Sequence, residues 1–212
     1  MYKLYAPDSS FRIYTWQVDI SDFSYIQRGV IQIKTKDGSL KIFPLLDRSD
    51  NIKNIEDTVT SNLAWIGAVY SKILLHTFKN KNYYTLIGYD ANSIKSKKKY
   101  VEVLHFENNQ PVFGGPFFMM NNTDNKNPSR FIMEYKKETS ATLSYDEEYE
   151  MILIEHLISE NNEPQKKWTL VGDGDYDGLK WESGKWVFKE KIFNQSSPDG
   201  EPPVPVPLNK NF

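Results

Sequence analysis

The sequence predicts an all-β protein: an antiparallel meander of about a dozen strands, packed as a sandwich or closed as a barrel, with little helix. Three observations predict it. Aromatic residues are abundant, with 13 Tyr, 12 Phe and 5 Trp, and such side chains favour pleated, half-buried surfaces. Apolar and polar residues alternate in short runs with the strand period of two. Clusters of Gly, Asn, Asp and Pro separate those runs at short intervals. A propeller is the alternative, although no Trp-Asp dipeptide occurs and Gly114-Gly115 is the one Gly-Gly doublet.

The elements follow in order. Pro7-Asp8-Ser9-Ser10 turns the chain into an alternating run over 11–16, and 19–28 reads as a loop. Runs at 30–35 and 40–43 flank Lys36-Asp37-Gly38-Ser39. Asp-Gly between alternating runs predicts a hairpin with a type I′ turn, which needs positive φ at both central residues. Residues 46–61 are polar and read as a loop or a short helix starting near Asp50. The text LAWIGAVYSKILLHTF over 63–78 reads as one long strand buried on two faces. A helix there would carry Gly67 in its interior at a cost of about 1 kcal/mol relative to Ala.

Residues 83–89 predict a strand, 90–99 a polar crossing that ends in a short basic turn, SKKK, and 100–106 the next strand. Asn108-Asn109 turns the chain back into Pro111-Val112-Phe113. Gly114-Gly115-Pro116 breaks or bulges it before 117–120. After a loop over 121–129, strands are expected at 130–135, 141–145 and 151–158. Trp168-Thr169-Leu170-Val171 enters a polar turn over 172–178, and a last hairpin turns at Ser183-Gly184-Lys185. The expected organisation is one β-domain over 1–193 and a Pro-rich extended tail over 194–212. An internal echo links Tyr84-Thr85-Leu86-Ile87-Gly88 to Trp168-Thr169-Leu170-Val171-Gly172. Each is followed by a strand, a tight turn and an aromatic strand containing Val-Phe (Val112-Phe113 and Val187-Phe188).

Composition excludes several classes. A net charge of -2 gives no basic excess for nucleic acid. The absence of Cys removes disulfides, zinc–thiolate sites and Cys nucleophiles, and it favours an exported protein. No run reaches the roughly 18 apolar residues of a membrane helix. The start, MYKLYAPDSS, lacks the pattern of a signal peptide. The chain is therefore either cytoplasmic or exported by a signal lying upstream.

The sharpest chemical pattern is Asp173-Gly174-Asp175-Tyr176-Asp177-Gly178. Carboxylates at alternate positions with a following Gly are what the first half of a calcium loop requires. Asp173, Asp175 and Asp177 are thus the candidate metal ligands and calcium the one candidate cofactor. The twelfth position is Gly184 where such a loop carries a bidentate Glu. The competing reading is a polar turn whose Asp side chains accept backbone N–H bonds. His76, His105 and His156 each fall in a strand-like run, and their spacing does not show whether they converge. Trp65, Trp168, Trp181 and Trp186 are candidate stacking platforms for sugars or flat ligands, with core packing as the competing use. Hydrolase, zincin and phosphate-loop motifs are missing, and Glu147, Glu148 and Glu155 single out no carboxylate pair.

The wording of Trp65-Ile66-Gly67-Ala68-Val69-Tyr70, Tyr84-Thr85-Leu86-Ile87-Gly88-Tyr89-Asp90-Ala91-Asn92, Pro111-Val112-Phe113-Gly114-Gly115-Pro116, Tyr176-Asp177-Gly178 and Gly184-Lys185-Trp186 resembles a family of uncharacterised secreted or envelope proteins of Bacteroidetes-type bacteria. The resemblance spans about 65–186. It implies a periplasmic or cell-surface setting and carries no activity. The leading expectation is a non-catalytic module binding a small molecule, glycan or protein. A hydrolase drawing carboxylates and histidines from separate strands is the alternative, and a structural assembly subunit is the third expectation. Should a site lie near the middle of the chain, the corners Gly88-Tyr89-Asp90 and Gly114-Gly115-Pro116 are where it belongs.

Overall fold

The computed structural model describes residues 1–21, 24–120 and 127–193. The expected tail over 194–212 lies outside the described residues. Among the described residues fifteen strands build three sheets. The first is the meander β1 (Tyr2–Tyr5), β2 (Phe11–Ser21), β3 (Ser24–Ile33) and β4 (Lys41–Leu46). The middle sheet begins with the short β5 (Thr60–Ser61). It is built mainly from β6 (Val69–Phe78), β7 (Lys81–Asp90), β8 (Ser96–Glu107) and β9 (Gln110–Phe113), in the order β5-β9-β8-β7-β6. After β10 (Phe118–Met119), β11 (Arg130–Lys136) pairs with the first half of β8. The third sheet is the meander β12 (Leu143–Asp146), β13 (Met151–Ser159), β14 (Leu170–Glu182) and β15 (Lys185–Lys189), extended by β10 parallel to β15.

Among the described residues none of the sheets closes into a barrel. They stack as a sandwich of three layers, because the middle sheet has a core on each face. Phe11, Ile13, Ile31 and Leu45 of the first sheet pack with Tyr84, Leu86, Tyr100 and Leu104. Ile87, Val101 and Val103 point the other way and pack with Ile152, Ile154, Leu179 and Trp186 of the third sheet. Successive side chains on a strand alternate faces, so a strand covered on both faces is buried without interruption. That is the pattern over 84–88 and 100–104. The outer strand β2 instead alternates, with Phe11, Ile13 and Thr15 buried and Arg12 exposed.

Several local readings are corrected by pairing. Residues 19–21 and 24–28 are strand and not loop: β2 and β3 continue as a ladder with Val18 opposite Ile26 and Gln17 opposite Gln27. Val18, Asp19, Ile20 and Ser21 are exposed because β2 extends beyond the core, whereas Gln27 is buried against Asp90. The Asp37-Gly38 hairpin exists, but its connection spans 34–40 and of the two central residues only Gly38 has positive φ, at 76°. Asp37 instead accepts from the Ser39 N–H and hydroxyl at 3.1 and 2.7 Å, an Asx-type turn. Two-residue turns with positive φ at both positions occur at Lys79-Asn80, Asn108-Asn109 and Ser183-Gly184. Residues 65–68 are buried loop and not strand. Gly67 takes φ 70° and passes so close to Asp47 that an added Cβ would lie 2.5 Å from its carboxylate. The strand starts at Val69, and an extra residue at Ser71 bulges it. That bulge places Tyr70 and Ile73 in the same core.

The polar crossing shortens to 91–95, since the basic run Ser96 to Lys99 is already β8, paired with β11. Residues 172–178 are not a turn but the middle of β14, held by β13 on one side and, at its end, by β15 on the other. The echo holds for the closing hairpins, β8–β9 and β14–β15, which end both meanders. It fails earlier, because Trp168 and Thr169 form a 3-10 turn where Tyr84 and Thr85 are strand.

Candidate functional site

The middle sheet carries a row of ring-bearing residues across its strands. His76 pairs with Tyr83, and His105 pairs with Val112. The Tyr83 and His105 rings lie 6.0 Å apart. The third sheet covers only one end of this row. There His76 stacks on Trp181 at 4.5 Å and meets Trp186 edge-on at 5.0 Å. The other end opens into a cleft of about 680 Å³. Tyr83, His105 and Val112 line it, Phe117 forms a wall, and Asn80, Lys81 and Glu107 stand at its turn end.

The corner Gly114-Gly115-Pro116 lines the cleft. Gly114 and Gly115 take φ 93° and 134°. A Cβ on Gly115 would lie 2.5 Å from the Phe117 ring, so glycine there lets the ring fold back. Phe117 meets Tyr83 at 5.1 Å and His105 at 5.6 Å, both edge-on. Glu107 lies 3.2 Å from His105 Nε2, which fixes the tautomer that donates to the carboxylate. Nδ1 is then a bare acceptor, buried without a partner among the described residues. Burial pushes the His105 pKa below its usual value, against the opposing pull of Glu107.

Beneath that corner lies a polar cluster. Glu102 and Arg130 side chains are both 0% exposed, with Arg130 Nε 3.3 Å from Glu102 Oε2. The Tyr70 hydroxyl donates to Glu102 Oε1 and accepts from Trp65 Nε1 at 2.7 Å. Arg130 Nη1 donates to the carbonyls of Ile55 and, at 2.8 Å, Thr58. The Ser129 N–H adds a bond to the Glu56 carbonyl at 2.8 Å. The segment 55–60 is thereby clamped to the middle sheet, and it brings Val59 to the cleft. Burial raises the Glu102 pKa, and the Arg130 charge opposes that shift. A lone Glu inside the apolar run Tyr100-Val101-Glu102-Val103-Leu104 was the available sequence signal for this pair.

The other expected corner, at Asp90, lines a polar recess of about 430 Å³ between the first and middle sheets. Asp90 accepts from Gln27 Nε2 at 2.7 Å and the Asn92 N–H at 2.8 Å. Asp47 accepts from the N–H groups of Gln27 and Ser49 at 3.0 and 3.1 Å. Both carboxylates are satisfied internally, so this recess is a joint between layers.

The Asp-rich run forms a bulged strand. Asp173, Gly174 and Asp175 lie opposite His156, and Gly174 takes φ 90°. Asp173 Oδ2 is 2.6 Å from His156 Nδ1, Asp173 Oδ1 accepts the Asp175 N–H at 3.0 Å, and Asp177 accepts the Lys191 N–H at 3.0 Å. Asp173 chiefly, with Asp177 and Asp175 at longer range, raises the His156 pKa. Among the described residues no group of three or more His, Cys, Asp or Glu side chains is placed to hold a metal ion. Thermal melting is accordingly expected to give one Tm with calcium and with chelator. A rise with calcium would assign Asp173, Asp175 and Asp177 as a site.

The three histidines stay apart: His76 is packed, His105 lines the cleft, and His156 pairs with Asp173 on the third sheet. Of the candidate tryptophans, Trp65 and Trp186 are fully buried core. Trp181 is the stacking partner of His76, and Trp168 is exposed under the Lys95 ammonium at 5.3 Å. No described helix is long and apolar enough to cross a membrane. Comparison with protein-family models, with curated proteins and with solved structures finds no match.

Proposed function

We propose that the protein is a non-catalytic ligand-binding β-module of the cell envelope, with the cleft at Tyr83, His105 and Phe117 as its site. The observation that carries this is the make-up of the cleft. Its walls are aromatic, it falls in the usual size range of small-ligand sites, ~300–1,000 Å³, and neither Ser nor Thr lines it. The envelope setting rests on the absence of Cys and on the resemblance of the sequence wording to secreted and envelope proteins.

A second reading, a hydrolase, has one observation in its favour. His156 and Asp173 come from separate strands, sit 2.6 Å apart, and His156 borders a recess of about 350 Å³. An oriented His–Asp pair is half of a general-base arrangement. A thermal-shift screen against small molecules and glycans, with mass spectrometry of the recovered compound, separates the two. Recovery of unchanged ligand is expected. Turnover that disappears in His156→Ala would replace the binding reading with the hydrolase.

A further inference from the structure

We infer that the cleft takes a neutral oligosaccharide. The inference rests on the binding-module reading and names its ligand class. Three features select that class. First, the rings bordering the cleft are mutually tilted, with Phe117 at 62° to Tyr83 and 76° to His105, and Tyr83 at 48° to His105. Tilted rings offer no parallel slot for a flat heteroaromatic ligand. They present faces and edges to a puckered ring whose C–H groups are apolar and whose hydroxyls point outward.

Second, the charges at the turn end balance. Lys81 and Glu107 stand at the same end of the cleft, where the two-residue turns of β6–β7 and β8–β9 close. An anionic ligand meets Glu107 and a cationic ligand meets Lys81, so each charge sign encounters one repulsive partner. A hydroxyl, being donor and acceptor together, is served by both: Lys81 donates to it and Glu107 accepts from it. The Asn80 amide adds a group of both kinds at the same rim.

Third, the floor is closed by an oriented ring. Glu107 holds the imidazole of His105 through Nε2, and the ring lies against Tyr83 and Phe117, so it presents a face and edge rather than a competing charge-seeking group. The Gly114-Gly115 backbone approaches without side chains, which keeps the cleft open along the Phe117 wall.

The test is isothermal calorimetry and intrinsic fluorescence on the full chain with neutral gluco-, manno- and xylo-oligosaccharides. Oligogalacturonate, chitosan oligomers and an apolar naphthalene sulfonate dye are run beside them. The Trp181 ring lies 6.3 Å from Tyr83, so occupation of the cleft is expected to change its emission. One neutral series is expected to bind, and Phe117→Ala to weaken it about tenfold. Phe117 is half-buried, so Asn80→Ala and Glu107→Gln at the exposed rim are measured as well, each with an expected loss of about threefold to tenfold. Binding by charged oligomers alone, or by the dye alone, would overturn the sugar inference and leave the module standing. Sugar binding untouched by all three substitutions would also overturn it. No binding by any probe would sink both.

Discussion

Arg130→Met is expected to lower the free energy of unfolding by about 3–5 kcal/mol, the loss typical of removing one member of a buried ion pair. Both side chains are fully enclosed. Without the guanidinium, Glu102 keeps only the Tyr70 hydroxyl, and the carbonyls of Ile55 and Thr58 lose their donor. Glu102→Gln is expected to cost less, about 1–2 kcal/mol, because an amide oxygen still accepts from Arg130 or Tyr70. The paired change Glu102→Leu with Arg130→Met is expected to recover only part of the loss. The charge problem disappears, but the carbonyls of the 55–60 segment stay unserved. Urea denaturation of the wild type, Arg130→Met, Glu102→Leu and the paired variant closes a double-mutant cycle, with Glu102→Gln measured beside it. A single-mutant loss below about 1 kcal/mol, the level of an exposed pair, would show that the cluster does not hold the layers. Since Val59 follows the clamped segment into the cleft, Arg130→Met is also expected to weaken ligand binding there.

Stability is expected to fall as pH drops from 6.5 toward 4, with His76 responsible for much of the change. Burial lowers its pKa from 6.5 to about 4. Its Nε2 is enclosed without a partner among the described residues, and Trp181 and Trp186 pack against the ring. The unfolded chain therefore binds a proton in this window that the folded chain refuses, so acid favours unfolding. Above 6.5 both states are neutral at this residue and it adds no slope. At 1.36 kcal/mol per pH unit, discounted by about half for solvent reaching the ring, the loss is ~1.5–2 kcal/mol.

His105 acts in the same direction. His156 acts against it: its raised pKa adds stability that is fully present below 6.5 and fades as pH rises through the folded value. Its side chain is 48% exposed, so that contribution is small. The lowered carboxylates Asp8, Asp37 and Asp173 lose their stabilisation only as pH falls through their folded values, below the histidine window. Denaturation at neutral and mildly acidic pH should show the loss in the wild type and a flatter profile in His76→Phe, which keeps a ring between the tryptophans. Parallel profiles would assign the acid sensitivity elsewhere.

The hairpins were the most legible part of the fold. Tyr83 to Phe113 reads as strand, crossing, strand, turn and strand because its signals are local: alternation within each run and Asn108-Asn109 between them. The same local reading missed where pairing overrides composition. Gly172 to Gly178 is Gly and Asp apart from Tyr176, yet β13 pairs both of its ends and β15 joins at Gly178, so it runs through as strand with a bulge at Asp173 to Asp175. Trp65 to Ala68 carries strand-forming residues, yet Gly67 has to clear the Asp47 carboxylate and the backbone leaves the sheet. The cleft was half legible. Its Gly114-Gly115-Pro116 corner stood out as a break, while His105 and Phe117 looked like ordinary strand residues.

What the sequence determined by itself was strand content, the turns at Asn108-Asn109 and Ser183-Gly184, and the unbroken apolar runs of β7 and β8. Side-chain alternation and positive φ are properties of neighbouring residues, so a single chain segment displays them. The tertiary structure alone decided that those two-faced strands form the middle of three layers, and that Glu102 meets Arg130 there. It also decided that the third sheet stops short of His105 and leaves a cleft. These depend on residues far apart in sequence meeting across layers, and no periodicity within a segment encodes which face will be covered.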